Sequence, residues 1–421
     1  MAIDVLILNT AVLDLRSPDF SFTDRLVGAG GLAKCATSEM PPYTQAQLKS
    51  YIDQGCATAG GPGNTAPLLA HAGLRVAVGT NLGKGDFGGL DIQGRTFHDI
   101  LAANGVDMSA TFVHPTLPTG TTFIHEALNS ERGGIAYFPN ANNDFAFEAF
   151  KTQVIRLAPR VVYYMYSGLS DRGDAREGRD LAEFVAWCRA QGCITLVDSH
   201  TLTGNPQELI ERGEPVPAYG LLRPLLSELD VFFTSSDEAR MIRNTLDPKH
   251  GTHGLDTPEN CRSFLDFVTA RFSGQGRHRT QLFGVTVKNG AYARLVGPDD
   301  RIHETVFCPS RFMTGRVIDL VGAGDSFRAG LVAYVARQKD AFLDGELNVE
   351  EAVQAGNLMA TLYIASPLND RYGSIAGLDA LLAVVRSKRE FASFEELTGA
   401  LAVGSPLRQG YGGQGGSWQW Q

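Results

Sequence analysis

The chain has 421 residues, 43% hydrophobic and 20% charged, enough to bury a large core in one big domain or two ordinary ones. A formal charge of −9 without any Lys/Arg cluster argues against nucleic acid, whose binding draws most of its affinity from phosphate neutralisation. No run of about 18 uncharged apolar residues occurs, and Met1–Leu8 (MAIDVLIL) lacks a basic start and cleavage site, so a cytoplasmic chain with no membrane partner is expected.

Ile3 to Leu8 reads as a short buried strand. Residues 10–60 follow, rich in Gly, Pro, Thr and Ser, and a second irregular stretch runs from Phe112 to Phe147, with alternation at Thr121 to His125. Both are expected to form a small β-rich cover, with bounds near 9–60 and 110–147. From about residue 160, apolar strands (Val161 to Tyr166, Ile194 to Asp198, Asp230 to Thr234, Leu282 to Val287) alternate with amphipathic helices. Leu181, Phe184, Val185 and Cys188 share one helix face ahead of Gly192, and Thr257-Pro258 opens another helix. This alternation implies an α/β fold: a three-layer α/β/α sandwich with a mainly parallel central sheet and a small β-rich lid. The six cysteines form no CxxC and read as reduced, mostly buried thiols. Residues 399–421, including GSPLRQGYGGQGGSWQWQ from Gly404, are low in complexity and are expected to be a disordered tail beyond a domain of residues 1–398.

The chemistry concentrates in two elements. Asp319-Leu320-Val321-Gly322-Ala323-Gly324-Asp325-Ser326-Phe327 leads into a helical run, Arg328 to Arg337. Two glycines allow a tight turn that presents bare N–H groups, and a helix start adds roughly half a positive charge, which together make an anion cradle. Amides fixed in advance stabilise the charge spread over a phosphoryl group in transit, and a carboxylate at the cradle's mouth, Asp325, can accept the proton of an attacking hydroxyl. Taken alone, the turn is equally a glycine turn with a capping Asp. The second element is Gly60-Gly61-Pro62-Gly63-Asn64-Thr65-Ala66, followed by an apolar run and Gly83 to Gly88 (GKGDFG). Glycines permit close ligand approach, and an Asn amide both donates to and accepts from sugar hydroxyls.

Together, the GGxxxNxA element and the DxxGAGDSF element resemble the ribokinase-like (PfkB-type) carbohydrate kinases over roughly residues 1–395. The resemblance implies an enzyme using ATP and magnesium to phosphorylate a hydroxyl of a small sugar-like molecule, a lid that often pairs two subunits as a homodimer, and potassium stimulation in some members. It places the general base on Asp325 and the anion hole on Gly322, Ala323 and Gly324. Asp14, Gly60, Gly61 and Asn64 would grip the sugar, Asn357 would line the adenine pocket, and Asp319 would serve the monovalent cation. Where such kinases carry Asn-x-x-Glu this chain has Ser235-Ser236-Asp237-Glu238, so Glu238 would order magnesium through water, with Ser235 in the Asn position. The nucleotide turn, here Val285-Thr286-Val287-Lys288-Asn289-Gly290, is one residue shorter, with Lys288 and Gly290 expected at the nucleotide. Gly85 stands where an Asp is common, and Asp86 follows it.

Other patterns carry less. Val27 to Ala33 (VGAGGLA) matches a loose dinucleotide fingerprint, but without a preceding strand and a following helix it reads as a loop. His250-Gly251-Thr252-His253 has no further ligand at metal spacing. Asp198-Ser199-His200 ends a strand without a GxSxG elbow and reads as pocket lining or packing. Two other functions share the pattern, a nucleoside kinase on the same scaffold and a catalytically impaired sugar sensor.

Overall fold

The computed structural model describes residues 2–28, 30–125, 134–251, 256–273, 279–367 and 370–404. An eight-stranded sheet runs, edge to edge, Val306–Pro309, Gly290–Val296, Gln281–Val287, Val231–Ser235, Ile194–Ser199, Val161–Ser167, Val5–Leu8 and Val76–Gly79. Every neighbouring pair from Gln281–Val287 to Val76–Gly79 is parallel, and the other two strands close that edge as antiparallel hairpins. The parallel strands are almost continuously apolar because both faces are covered. Alternate residues go to opposite layers. Val5, Ile7, Tyr163, Val231 and Phe233 pack with the helices Ala323–Arg337 and Val349–Ile364. Leu6, Leu8, Val162, Tyr164 and Phe232 pack with Phe147–Leu157, Arg179–Ala190 and Pro258–Phe272.

Over one end lies a five-stranded sheet in the order Leu32–Lys34, Ile135–Phe138, Gly120–His125, Val12–Ser17 and Ala57–Gly60. It has its own core of Leu13, Leu15, Phe20, Leu48, Phe123 and Phe138. The stretch 10–60, expected to be β-rich, also holds a helix, Gln45–Asp53, started by a Thr44/Gln47 capping box and anchored through buried Leu48. A capping box needs no glycine and little apolar surface, so the stretch's loop-like composition hid it. The Gly83 to Gly88 region forms a strand, Asn81–Gly85, in a third small sheet with Gly89–Leu90 and Phe112–His114. Hydrogen bonding there centres on Asp91, which accepts from Thr119 N at 2.6 Å, Thr119 Oγ1 at 2.7 Å and Gly94 N at 2.7 Å.

At the C-terminus the helix Phe394–Gly404 carries regular structure past residue 398, with Leu401 buried. The rest of the tail, residues 405–421, lies outside the described residues, as do Ala29, Thr252 and His253. All six cysteines are free thiols, Cys56 alone among them not fully buried. Among the described residues no helix is long and apolar enough to cross a membrane.

Candidate active site

The loops leaving the C-terminal ends of the parallel strands converge beneath the lid, where open α/β sheets bind ligands. The helix Ala323–Arg337 begins there. Its N-cap, Gly322, sits at φ 86°, ψ 4°, the left-handed region that glycine enters without strain, and a Cβ would meet Tyr363 Oη at 2.9 Å and the Asn64 amide carbon at 3.0 Å. Among the described residues the N–H groups of Gly322, Gly324 and Asp325 donate to no backbone acceptor outside the regular elements. These open donors at the start of a 15-residue helix suit an anion.

Asp325 is 6% exposed in the first turn of this helix. Its Oδ2 accepts from Tyr166 Oη at 2.6 Å and from Asn64 Nδ2 at 3.0 Å. These two bonds fix the carboxylate, and among the described residues no donor reaches Oδ1. Tyr166 reaches it from a bulge where the pairing of Val161–Ser167 with Ile194–Ser199 shifts register, and its φ of 59° is uncommon for a tyrosine. Such conformations persist where the surroundings over-determine them, often at functional sites.

Asp325, Gly322, Tyr166 and His200 line two adjoining cavities. One is a pocket of about 60 Å³ under the lid, lined also by Asp14, Asn64, Gly61, Thr122, Leu32 and Ile135. The other is a cleft of about 370 Å³ running past Gly324, Ser235, Glu238, Thr286 and Arg328. Asp325 stands on the boundary between them.

On the pocket side, Asp14 projects from the lid strand Val12–Ser17 and accepts from Thr122 Oγ1 at 2.5 Å. Burial pushes its carboxyl up to about 6, only partly offset by Thr122 and Arg16, and the nearby Asp325 adds to the rise. Gly60 is required beside it, because a Cβ would lie 2.3 Å from Asp14 Oδ2. Gly61, at φ 55°, brings its backbone against Thr10 O. Asn64, besides donating to Asp325, accepts from Tyr363 Oη at 2.8 Å. Arg371 donates to that same Tyr363 hydroxyl and pairs with Asp319.

Asp319 is thus paired twice, with Arg371 and with Arg16 of the lid at 2.8 Å, while its Oδ1 accepts from Val321 N at 2.9 Å. Burial would raise its pKa, but the two guanidiniums and the amide outweigh it and hold the carboxyl below its usual value. A carboxylate already neutralised by two arginines does not fit a monovalent cation, contrary to the expectation for Asp319.

On the cleft side, Ser235 caps the helix Ser236–Leu246 in a capping box with Glu238. Glu238 Oε2 accepts from Thr234 Oγ1 at 2.8 Å and Ser235 N at 3.0 Å, which leaves Oε1 for the cleft. Asp237 alongside is paired with Arg240, so it is Glu238 that fits a hydrated magnesium ion carried by nucleotide phosphates. Lys288 is exposed in its turn, and Asn357 is buried, donating to Gln354 Oε1 at 3.2 Å; neither is among the residues lining the cleft. Gly290, at φ 151°, packs against Cys308 O in the sheet edge, also away from the cleft.

Sequence reasoning missed Tyr166, Tyr363, Arg371, Arg16 and Arg328. Arg328 had an available signal, since it follows Asp325 at i+3 on one helix. Tyr363 lies 299 residues from Asn64, and Arg16 and Arg371 lie 303 and 52 residues from Asp319, so none of the three had a local signal.

Solved structures share this architecture. A fructokinase with bound ATP from Xylella fastidiosa is 20% identical, covering 91% of this chain and 98% of its own, with a TM-score of 0.60. A probable sugar kinase from Rhizobium etli is 18% identical over 91% and 100%, TM-score 0.59. Adenosine kinase from Anopheles gambiae is 14% identical over 88% and 98%, TM-score 0.59. No curated protein matches the chain in sequence. The model of the pfkB family carbohydrate kinases matches residues 41–262 and 285–369. With that match spanning most of the chain and both glycine elements, this protein belongs to the pfkB family of carbohydrate kinases.

Proposed function

We propose that the protein transfers the γ-phosphoryl group of ATP to a hydroxyl of a small sugar or sugar-like acceptor, with Asp325 as general base. The observation that carries this reading is the place of Asp325 and Gly322 on the boundary of both cavities. An acceptor in the pocket and a nucleotide in the cleft would meet only there. As the acceptor oxygen bonds to phosphorus, its proton passes to Asp325 Oδ1, and the bond from phosphorus to the β-bridging oxygen breaks, leaving ADP and the phosphorylated acceptor. Asn64 and Tyr166 hold the carboxylate at the required angle. The open amides of Gly322, Gly324 and Asp325 take the charge of the moving group, with Ala323 shaping the turn. Magnesium, bound through Glu238 and the phosphates, would supply further neutralisation.

Asp14, Gly60, Gly61 and Asn64 would receive the acceptor. The polar lining of Asp14, Asn64, Thr122 and Thr10 suits the hydroxyls of a sugar ring. The lid holds back water, which would otherwise compete as acceptor. Pairing of two copies through the lid belongs to the proposal, and light scattering reads it. A cytoplasmic setting accords with ATP as substrate and with thiols kept reduced.

The experiment is an ADP-release screen of the wild type over pentoses, hexoses, ketoses, sugar acids and nucleosides. A sugar or sugar acid should give the highest kcat/KM. Preference for a nucleoside would move the assignment there, and acceptor binding in calorimetry without ADP release would make the protein a sensor.

A further inference from the structure

In the cleft assigned to the nucleotide, negative groups outnumber positive ones: Asp237, Glu238 and Asp325 line it, and Arg328 is its only Lys or Arg among the described residues. ATP brings further negative charge, so a fixed cation here has a use beyond packing. Arg328 lies one turn beyond Asp325 on the same helix and is 6% exposed. Its guanidinium is held in a set orientation. Nε and Nη2 donate to Phe233 O at 3.3 and 3.0 Å, and Nε lies 3.2 Å from Asp198 Oδ2. Asp198 is fixed in turn by Tyr163 Oη at 2.8 Å and Tyr166 N at 2.8 Å. Nη1 takes no part in these bonds. It lies behind the anion cradle, where a Cβ on Gly324 would come within 2.9 Å of it, which gives that glycine a second reason to lack a side chain.

We propose that Arg328 is the resident cation of phosphoryl transfer, its free Nη1 edge contacting the transferred phosphoryl group through the gap left by Gly324, with Asp198 as its positioning residue. Planar guanidinium suits this task, being permanently charged and able to bond phosphate while its other edge stays anchored. The inference rests on the kinase reading and deepens it at the same site.

The bland account is that Arg328 merely balances buried Asp198. Breaking a buried ion pair by removing one partner is strongly destabilising, whereas replacing both ends is often neutral. Arg328→Met is therefore compared with the double variant Asp198→Asn/Arg328→Met, reading thermal midpoint, kcat, and KM for each substrate. The inference expects the double variant to regain the midpoint lost by Arg328→Met while its kcat stays at least about 10²-fold below wild type, with KM for the acceptor within about threefold. A folded double variant with wild-type kcat would overturn it. Should the double variant not fold, Arg328→Lys serves: it keeps a cation beside Asp198 without the anchored fork, so kcat is expected to fall at least about tenfold, and an unchanged kcat overturns the inference. If the wild type releases no ADP with any acceptor, the kinase reading fails by itself, and calorimetry with MgATP still decides on Arg328. Affinity weakened at least about tenfold in the folded variant supports a phosphate contact, and equal affinity removes it.

Discussion

The cavity under the lid is assembled from segments far apart in the chain. Asp14 and Thr122 come from lid strands, Asn64 from the turn after Ala57–Gly60, and Asn64's partner Tyr363 lies 299 residues away. The cleft on the other side of Asp325 takes its chemistry from short local units, the helix start at Gly322 to Arg328 and the Ser235/Glu238 capping box. Local units fix their own geometry through backbone rules, so the groups proposed to meet the phosphoryl charge sit in two short segments, with Asp325 steadied from outside by Asn64 and Tyr166. The pocket proposed for the acceptor depends on how the lid strands pack over the sheet, and in that proposal the choice of substrate resides there.

Substitutions can separate the two sides. The largest effect is expected from Gly322→Val, which touches both: the left-handed φ and the contacts with Tyr363 and Asn64 exclude a branched side chain. Turnover should fall at least about 10²-fold, with KM raised for ATP and acceptor alike. Asn64→Leu should divide them. It removes a donor to Asp325 and the sugar contact proposed for Asn64, so kcat/KM for the acceptor should drop about 10²-fold, roughly 2.7 kcal/mol, while KM for ATP stays within about twofold.

A smaller effect follows from pH. Burial pushes the Asp14 carboxyl up to about 6, so the carboxylate proposed to bind the acceptor is lost as pH falls through that value, and KM for the acceptor should rise below it. Asp14→Asn should abolish that inflection. For folding the sign is opposite: a carboxyl raised from 3.8 to about 6 costs stability as pH rises through that window, so the thermal midpoint of wild type relative to Asp14→Asn should fall from pH 4 to pH 6.5. The smallest effect concerns salt. With Asp319 held by Arg16 and Arg371, replacing potassium by choline at constant ionic strength should alter kcat by less than about twofold.

The same contrast explains how much was legible in the sequence. The parallel strands announced themselves as apolar runs, and Gly322 to Asp325 as a glycine turn at a helix start, although Asn64 and Tyr166, which fix the Asp325 carboxylate, lie 261 and 159 residues away. The helix Gln45–Asp53 went unread because its one buried anchor, Leu48, makes almost no periodic signal. Arg16 and Arg371 went unread because ion pairs spanning 303 and 52 residues, as they form with Asp319, leave no mark on local spacing. Tyr166 went unread because strand alternation would place it on the same face as Tyr164, whereas a bulge turns it to the opposite face and so toward Asp325.

The most direct test of the central claim is the rate of ADP formation by Asp325→Asn in single turnover, with its best acceptor and saturating MgATP, beside wild type at equal thermal midpoint. The boundary position of Asp325 predicts a loss of at least about 10²-fold with both substrates still bound. An unchanged rate in the folded variant would contradict it.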